Sequence, residues 1–261
     1  MPREGGSVII VNMFTKNILS GSGPGAAPRG RGRPPGRTRQ GAAARERLFR
    51  IAIREIARRG YEAATLREIA AKAGVSVGLL YRYFPSKQAV VLALYEELSA
   101  AYAQRAHSMS SGSWRDRFLF ALRASLTTLG PRHDTLAALV PVLVGDREEG
   151  LFSPRTAFSR QRVQHVFVTA VTGAGDAPPG ATAESLGRLL YLAHLAILLW
   201  WLLDRSRDQR ATAALVSLVE RALPLVALAL RMPIAATLIG TADALVLEGL
   251  FGEGAESEAT R

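Results

Sequence analysis

The polar residues between Thr65 and Lys87 are mostly hydroxyl groups and cations, which are the side chains that bind phosphate. Thr65, Ser76 and Lys87 each place a donor beside the predicted start of a helix, where free backbone amides also favour an anion. The sequence contains no H-E-x-x-H or G-x-x-x-x-G-K-[ST] motif, and it has no cysteine. We therefore expect no enzyme activity, no metal site and no cofactor.

Two short helices joined by a glycine turn position these donors. Thr65 and Glu68 have the spacing of a capping box, in which each satisfies a free backbone amide of the other. Gly74 stands where a left-handed residue ends the first helix. Ser76 caps the second helix, which ends before Pro85 because proline disfavours helical geometry in the residue preceding it. This pattern predicts a helix-turn-helix.

Two further helices complete the predicted unit. A helix over residues 42–59 is expected to cover the pair, since its apolar residues share one face: Leu48, Ile51, Ala52 and Ile56. After Ser86 a longer helix leads out of the unit as a rod, and its apolar stripe comprises Val91, Leu94, Tyr95, Leu98 and Tyr102.

The run G-V-S-V-G-L-L-Y-R-Y-F-P-S-K, preceded by T-L-R-E-I-A, resembles the DNA-binding head of the TetR family of helix-turn-helix transcriptional regulators. The resemblance covers about residues 45–98 and implies a DNA-binding domain over residues 42–98, with its second helix in the major groove of double-stranded DNA. It implies phosphate contacts from five residues: Thr65, Ser76, Tyr81, Tyr83 and Lys87. Arg82 either contacts a phosphate or is solvated.

By the same resemblance, base edges are read by Val77, Gly78 and Leu79. These residues are poor hydrogen-bonding partners, although Val77 can contact a thymine methyl group and Gly78 permits close approach. Much of the sequence reading then falls to Arg67 or to a basic arm. The operator sequence does not follow from these residues.

Residues 1–41 are rich in glycine, proline and arginine, and we expect them to form a disordered basic arm. This segment carries a net charge of +6, and residues 42–98 carry +4, out of +11 for the chain, as expected for a polyanionic partner. Within the arm, Arg31 and Arg33 belong to an R-G-R-P segment that resembles an AT-hook. They either insert into the minor groove or add only nonspecific attraction to phosphates.

The rest of the chain reads as helix after helix, so the predicted fold is all-α, with the head followed by a larger helical domain over residues 99–231. Helices are expected over residues 114–129, 135–143 (with Pro141 kinking or ending it), 158–171, 183–203 and 211–231. Residues 232–261 are expected to form a tail with a possible short helix up to Leu250.

The last two predicted helices are strongly apolar and suit a four-helix bundle across a two-fold axis, which the family resemblance also implies. A monomer core is the alternative. The interface of the homodimer is expected to involve Leu195, Leu199, Trp200, Leu202, Leu215, Leu218 and Val219.

The family resemblance further implies a small-molecule effector bound inside the helical domain, where its binding tilts the rod and changes the separation of the two recognition helices. Aromatic residues suggest an apolar or aromatic ligand, or else a plain core. The candidate pocket residues are Trp114, Phe118, Phe158, His165 and Tyr191.

No uninterrupted apolar run reaches the roughly 18 residues of a membrane span. The run 189–203 comes closest and is interpreted as a buried or subunit-facing helix. With no secretion signal recognised, we expect a cytoplasmic, nucleoid-associated regulator, most simply a repressor, that has no membrane partner. The main alternative is an architectural protein that binds A·T-rich DNA through the basic arm.

Overall fold

The computed structural model describes residues 39–145 and 150–251, and this part of the chain contains helices and no strand. The predicted all-α fold is confirmed. The eleven α-helices of the described residues are α1 Arg39–Arg59, α2 Leu66–Ala73, α3 Val77–Tyr83, α4 Lys87–Ala106, α5 Trp114–Leu129, α6 His133–Ala138, α7 Val140–Gly145, α8 Ala157–Thr172, α9 Ala181–Leu203, α10 Arg210–Ala229 and α11 Pro233–Val246. A π-helical turn, Leu247–Phe251, follows α11.

Local sequence signals set the ends of α2. The Thr65 hydroxyl accepts a hydrogen bond from the Glu68 amide at 3.3 Å, and a Glu68 carboxylate oxygen accepts one from the Thr65 amide at 3.2 Å. Gly74 adopts the left-handed conformation, with φ of 63°, which a residue with a side chain adopts at a cost. The predicted capping box and glycine turn are therefore confirmed.

The head, formed by α1–α3 and the first half of α4, closes around a shared core. Phe49 and Phe84 stack with their ring centroids 6.2 Å apart, and both side chains are almost fully buried. Leu80 of α3 and Leu94 of α4 are inaccessible to solvent in the same core. The apolar faces of the short helices are thus covered, as the helix-turn-helix pattern requires.

Helix α6 extends the head core. Leu136 and Leu139, at the end of α6, are buried together with Trp201 of α9 in the same cluster as the residues of α1–α4. The segment 135–143, expected as one helix, is instead divided into α6 and α7. Pro141 lies in the first turn of α7, where its missing amide leaves no hydrogen bond unmade.

The second half of the chain is assembled around α8 and α9. A Cβ atom added at Gly187 of α9 would lie 2.6 Å from the Cα of Val168 in α8, so the two helices meet where only glycine fits. Their core also includes Tyr102, Phe118, Phe167 and Tyr191.

The C-terminal helix α11 is more extensive than the short helix considered for the tail. It is held to α9 by a bidentate ion pair in which Arg188 donates from Nε to Asp243 Oδ1 at 2.8 Å, and from Nη2 to Oδ2. Asp243 is only 3% exposed to solvent. An acidic residue in an otherwise apolar helix thereby anchors the helix.

Three helical segments are long and apolar enough, by length and composition, to cross a membrane: Ala181–Leu203, Arg207–Ala229 and Pro233–Phe251. These segments have a high mean hydropathy, although none of them contains an uninterrupted run of about 18 apolar residues. The first is covered in part by α8, α10 and α11, whereas the last two expose most of their surface.

Candidate DNA-binding surface and effector cavity

The start of α3 forms the exposed tip of the head. The Ser76 hydroxyl accepts a hydrogen bond from the Leu79 amide at 3.2 Å, which caps the helix. Leu79 and Tyr81 are 38% and 48% exposed, whereas Leu80 between them is inaccessible to solvent. Helix α3 therefore buries one face and presents the other, as a helix that enters a groove must.

The residues expected to contact DNA occupy this exposed side. The exposed residues are Thr65, Arg67, Ser76, Gly78, Leu79, Tyr81 and Arg82, and the half-buried ones are Val77, Tyr83 and Lys87. The head thus gathers the predicted residues on α3 and on the adjoining starts of α2 and α4. Arg31 and Arg33 lie outside the described residues.

Lys87 has a structural role that the sequence did not reveal. Its ammonium group donates to the carbonyl oxygen of Tyr61 at 2.7 Å and to that of Glu62 at 3.3 Å. The same group lies 4.4 Å from the centroid of the Tyr61 ring. Lys87 therefore ties the first residue of α4 to the connection between α1 and α2, and one of its three donors is left for a phosphate.

Glu68 links the cap of α2 to α1. Hydrogen bonds from Arg59 and from the Thr65 hydroxyl hold the pKa of this carboxylate below its ordinary value. Because Glu68 remains ionised, its ion pair with Arg59 and its part in the capping box persist together. These contacts fix α2 relative to α1.

A cavity of about 320 Å³ lies in the helical domain. Its wall includes Tyr95, Leu98 and Tyr102 from α4, and helices α5–α9 supply most of the rest. The volume is at the lower end of the roughly 300–1,000 Å³ typical of small-molecule sites. An apolar molecule bound there would touch the helix that leads out of the head.

His194 is a deeply buried polar group in the wall of this cavity. Its Nε2 and the Ser125 hydroxyl share a hydrogen bond of 2.8 Å, and the ring is packed against Tyr102, Phe167 and Tyr191. Burial lowers the pKa of His194 to about 3, so the imidazole is neutral at neutral pH. Its burial agrees with the interpretation of the run 189–203 as a buried or subunit-facing helix.

The residues expected around an effector are distributed over several places. Tyr191 lines the cavity, whereas Trp114 and Phe118 are buried in the neighbouring core and are absent from its wall. Phe158 is 65% exposed and lies beneath the Arg162 guanidinium, 4.4 Å from its ring centroid. His165 lines a more polar cleft beside α8.

The residues expected at a dimer interface also separate into groups. Leu195, Leu199 and Leu202 line the cavity. Leu215 and Val219 are half-buried against the core of the second half of the chain. Trp200 and Leu218 are 51% and 61% exposed and present apolar surface to the outside.

Among the described residues, no group of three or more histidine, aspartate or glutamate side chains is arranged to hold a metal ion. The structure therefore concentrates its candidate chemistry in two places, the exposed tip of the head and the apolar cavity behind it.

Comparison with known proteins identifies the head. Residues 48–94 match the family described as "Bacterial regulatory proteins, tetR family". A 70-residue segment is 40% identical to the HTH-type transcriptional repressor KstR of Mycobacterium tuberculosis, and a 52-residue segment is 40% identical to the uncharacterised regulator YerO of Bacillus subtilis. These segments cover 26% and 20% of this chain, but only 32% and 18% of the two relatives.

Solved structures match a larger part of the chain. A TetR-family regulator from Streptomyces coelicolor aligns over 84% of this chain and 95% of its own, with a TM-score of 0.55 and 22% identity. FadR of Bacillus subtilis, in complex with stearoyl-CoA, aligns over 68% of this chain and 96% of its own, with a TM-score of 0.56 and 18% identity. The resemblance to the TetR family is confirmed, in sequence at the head and in fold over the larger part.

Proposed function

We propose that this chain, whose head is of the TetR type, is a ligand-responsive transcriptional regulator. It binds a palindromic operator as a homodimer, and a small-molecule effector releases it from DNA. The proposed domains are the DNA-binding domain over residues 42–98 and the effector-binding and dimerisation domain over residues 99–231, extended to include α11. As a chromosome-binding protein it would act in the cytoplasm, associated with the nucleoid.

The observation that carries this proposal is the span of α4. Its first residue, Lys87, is bonded to the connection between α1 and α2, and further along the helix Tyr95, Leu98 and Tyr102 line the cavity. One rigid element therefore contacts both candidate sites. A ligand that repositions α4 would shift the head with it.

The exposed apolar residues support dimerisation. Leu218, Leu225 and Leu228 of α10 are each more than 60% exposed, and such surface on a folded protein favours association. A two-fold dimer presents its recognition helices to half-sites about 34–36 Å apart, so a modest change in separation prevents both from fitting. A monomer would show no preference for a palindrome.

On DNA, we expect the N-terminal end of α3 to enter the major groove. The donors at Thr65, Ser76, Tyr81, Tyr83 and Lys87 position the head on phosphates, and Val77, Gly78 and Leu79 approach base edges. Arg67 and Arg82 are exposed and make no hydrogen bond to another described residue. Both are free to contact DNA, and both can be replaced without breaking an internal hydrogen bond.

The relatives suggest the sign of regulation and the character of the effector. KstR is named a repressor, and FadR was crystallised with an acyl-CoA. We therefore propose that the protein is a repressor and that its effector is apolar. Release requires that the effector prefer the DNA-free conformation by several kcal/mol, about 5.5 kcal/mol for a shift from 1:99 to 99:1.

The test is selection of genomic fragments by the purified full-length protein at about 150 mM salt, close to physiological ionic strength. We expect recovered fragments to share one site with two-fold symmetry. Replacing Arg67 and Arg82 by Ala should weaken binding, and the salt slope should fall by about 0.9 for each phosphate that the variant no longer neutralises. Arg205→Ala, which removes an exposed arginine outside the head, is the matched control.

Recovery of A·T-rich fragments without symmetry would contradict the proposal, provided that it depends on residues 1–41. The protein would then be an architectural binder led by Arg31 and Arg33. An enzyme has little support, since the family match and the fold neighbours are of regulators.

A further inference from the structure

Arg160 of α8 is a buried cation whose charge is not balanced by any described carboxylate. Only 9% of its surface is exposed, and its Nη1 donates to the carbonyl oxygens of Leu151 at 3.3 Å and Ser153 at 3.2 Å. These are its hydrogen bonds within the described chain, and they are neutral partners. Burying a charge is costly unless the charge is paired, and no described carboxylate pairs with Arg160, so this residue is a candidate to bind an anionic ligand.

The position of Arg160 connects it with the cavity. It is the one charged residue among the described residues of the cavity wall, since His194 is neutral and the other lining residues are uncharged. Elsewhere the wall is apolar, as at Leu98, Leu143 and Leu199. The site therefore combines a hydrocarbon-like interior with a single positive group.

Tyr191 supplies a second polar group in the wall of the same cavity. Its side chain is 1% exposed and lines the cavity, yet its hydroxyl makes no hydrogen bond to any other described residue. Burial raises the pKa of Tyr191, and the nearby positive charge of Arg160 partly opposes this rise. Tyr191 and Arg160 thus line the same cavity, where both side chains can donate to a ligand.

The C-terminal segment contacts two residues of the cavity wall, Phe152 and Arg160. Phe251 lies beneath the Arg160 guanidinium, 4.9 Å from its ring centroid, and its ring is 5.8 Å from that of Phe152, which lines the cavity. Arg160 also lines a more polar cleft together with Gln164 and His165. The apolar interior thus gives way to polar surface around Arg160.

We propose that the effector is an amphipathic carboxylate whose hydrocarbon part fills the cavity and whose carboxylate binds Arg160 and Tyr191. A planar guanidinium can donate to a carboxylate through two nitrogens, and the phenol hydroxyl adds a third donor. This inference names the ligand class of the effector site and so rests on the proposed function. It does not depend on which operator the protein binds.

The first experiment measures direct binding by calorimetry, with full-length protein and no DNA. The probes are decanoate, decanol and decyltrimethylammonium, which share a hydrocarbon chain and differ in the charge of the head group. We expect decanoate to bind at least about tenfold more tightly than decanol, because only the carboxylate forms charge-assisted hydrogen bonds with the guanidinium. Decyltrimethylammonium, the cationic probe, should bind most weakly of the three.

Two variants test the assigned head-group site. Tyr191→Phe removes only a hydroxyl that has no partner in the described protein, so it should fold normally and bind decanoate about 3- to 10-fold more weakly. Arg160→Met should weaken decanoate binding about 10- to 100-fold and leave decanol binding nearly unchanged. Arg155→Met removes an exposed arginine just before α8 that does not line the cavity, and it should have no effect.

Equal affinity for decanoate and decanol, absence of decanoate binding, or full decanoate affinity in Tyr191→Phe would each overturn the proposal. The operator experiment is separate. If decanoate binds as expected but no palindromic site is recovered, the regulator proposal fails and the ligand assignment stands. If a palindrome is recovered and decanol binds as tightly as decanoate, the ligand assignment fails alone.

Discussion

The head and the last two helices differ in where their apolar side chains lie. In the head, five large apolar side chains are at most 2% exposed: Leu48, Phe49, Ile53, Leu80 and Phe84. In α10 and α11, comparable side chains are 58–69% exposed at Leu218, Leu225, Leu228, Ile234, Leu238 and Leu245. The apolar faces of the head are covered within this chain, by its own helices together with α6 and α9, whereas α10 and α11 leave much apolar surface exposed.

This difference separates two tasks. A unit that meets DNA through an exposed tip must keep its shape without help from a second subunit, because its donors have to match phosphate positions. In the proposed dimer, α10 and α11 would gain stability from the partner subunit, which accounts for the apolar surface that they expose in one protomer. Mutations in the head core should therefore change the free energy of unfolding, whereas mutations on the exposed faces of the last two helices should change the dimer dissociation constant.

The largest effect is expected in the head core. Phe84→Ala removes a ring that stacks on Phe49 and lies 5.0 Å below the Arg45 guanidinium. It should lower the free energy of unfolding by about 3–5 kcal/mol in urea denaturation. Leu238→Ala, on the exposed face of α11, should cost less than about 1 kcal/mol in dilute protein. Similar losses of unfolding free energy in the two variants would contradict the difference between the head and the last two helices.

The next effect tests the open surface directly. Leu218→Arg combined with Leu225→Arg places two charges seven residues apart on one face of α10. We expect the dimer dissociation constant to rise at least about 100-fold, or roughly 2.8 kcal/mol, in sedimentation equilibrium. Ala100→Arg on the exposed side of α4 is the control. A dimer that tolerates the double change would place the interface elsewhere.

The buried histidine His194 should make the stability of the protein depend on pH. The folded-state pKa of His194 is about 3, whereas a histidine in an unfolded chain titrates near 6.5. Between these values the unfolded chain binds a proton that the folded chain excludes. Stability is therefore full above about pH 6.5 and declines as pH falls, by up to about 1.4 kcal/mol per unit.

His194→Gln should remove this decline. From pH 7 to pH 5, wild type should lose about 2 kcal/mol more than the variant in urea denaturation. His107→Gln changes an exposed histidine and should behave as wild type does. Equal acid losses in wild type and His194→Gln would show that the imidazole is protonated in the folded state.

The smallest effect concerns the cap of α2. Thr65→Ala removes the side chain that accepts from the Glu68 amide and donates to its carboxylate, and it should lower the free energy of unfolding by about 1 kcal/mol. Thr127→Ala removes an exposed hydroxyl that bonds the carbonyl oxygen of Arg123 inside α5, and should be nearly neutral. A cost at Thr127 that matches the cost at Thr65 would contradict the capping argument.

The head could be predicted in detail because its determinants are local. Caps at Thr65, Ser76 and Ser86 and the turn at Gly74 each act over three or four residues, and the structure has all of them in place. Among the described residues, helix α1 begins at Arg39, three residues before the expected start. Local capping and turn residues thus predicted where α2, α3 and α4 begin and where α2 ends.

The cavity could not be predicted, because it depends on which helices meet. Apolar spacing marks Leu195 and Leu199 as one face of α9 but does not say whether a partner subunit, a core or a cavity lies opposite. The enclosure of His194 and the pairing of Arg188 with Asp243 join residues 69 and 55 positions from their partners. Such contacts leave no periodic signal in the sequence.

The bonds from Lys87 to Tyr61 and Glu62 have a mechanical consequence. They clamp α4 at its N-terminal end, the point at which a helix joined to a small domain would otherwise bend. A tilt of α4 should therefore swing the head as one stiff lever. A shift of a fraction of an ångström at the cavity would then become a larger displacement at the tip of α3, in proportion to its distance from the pivot.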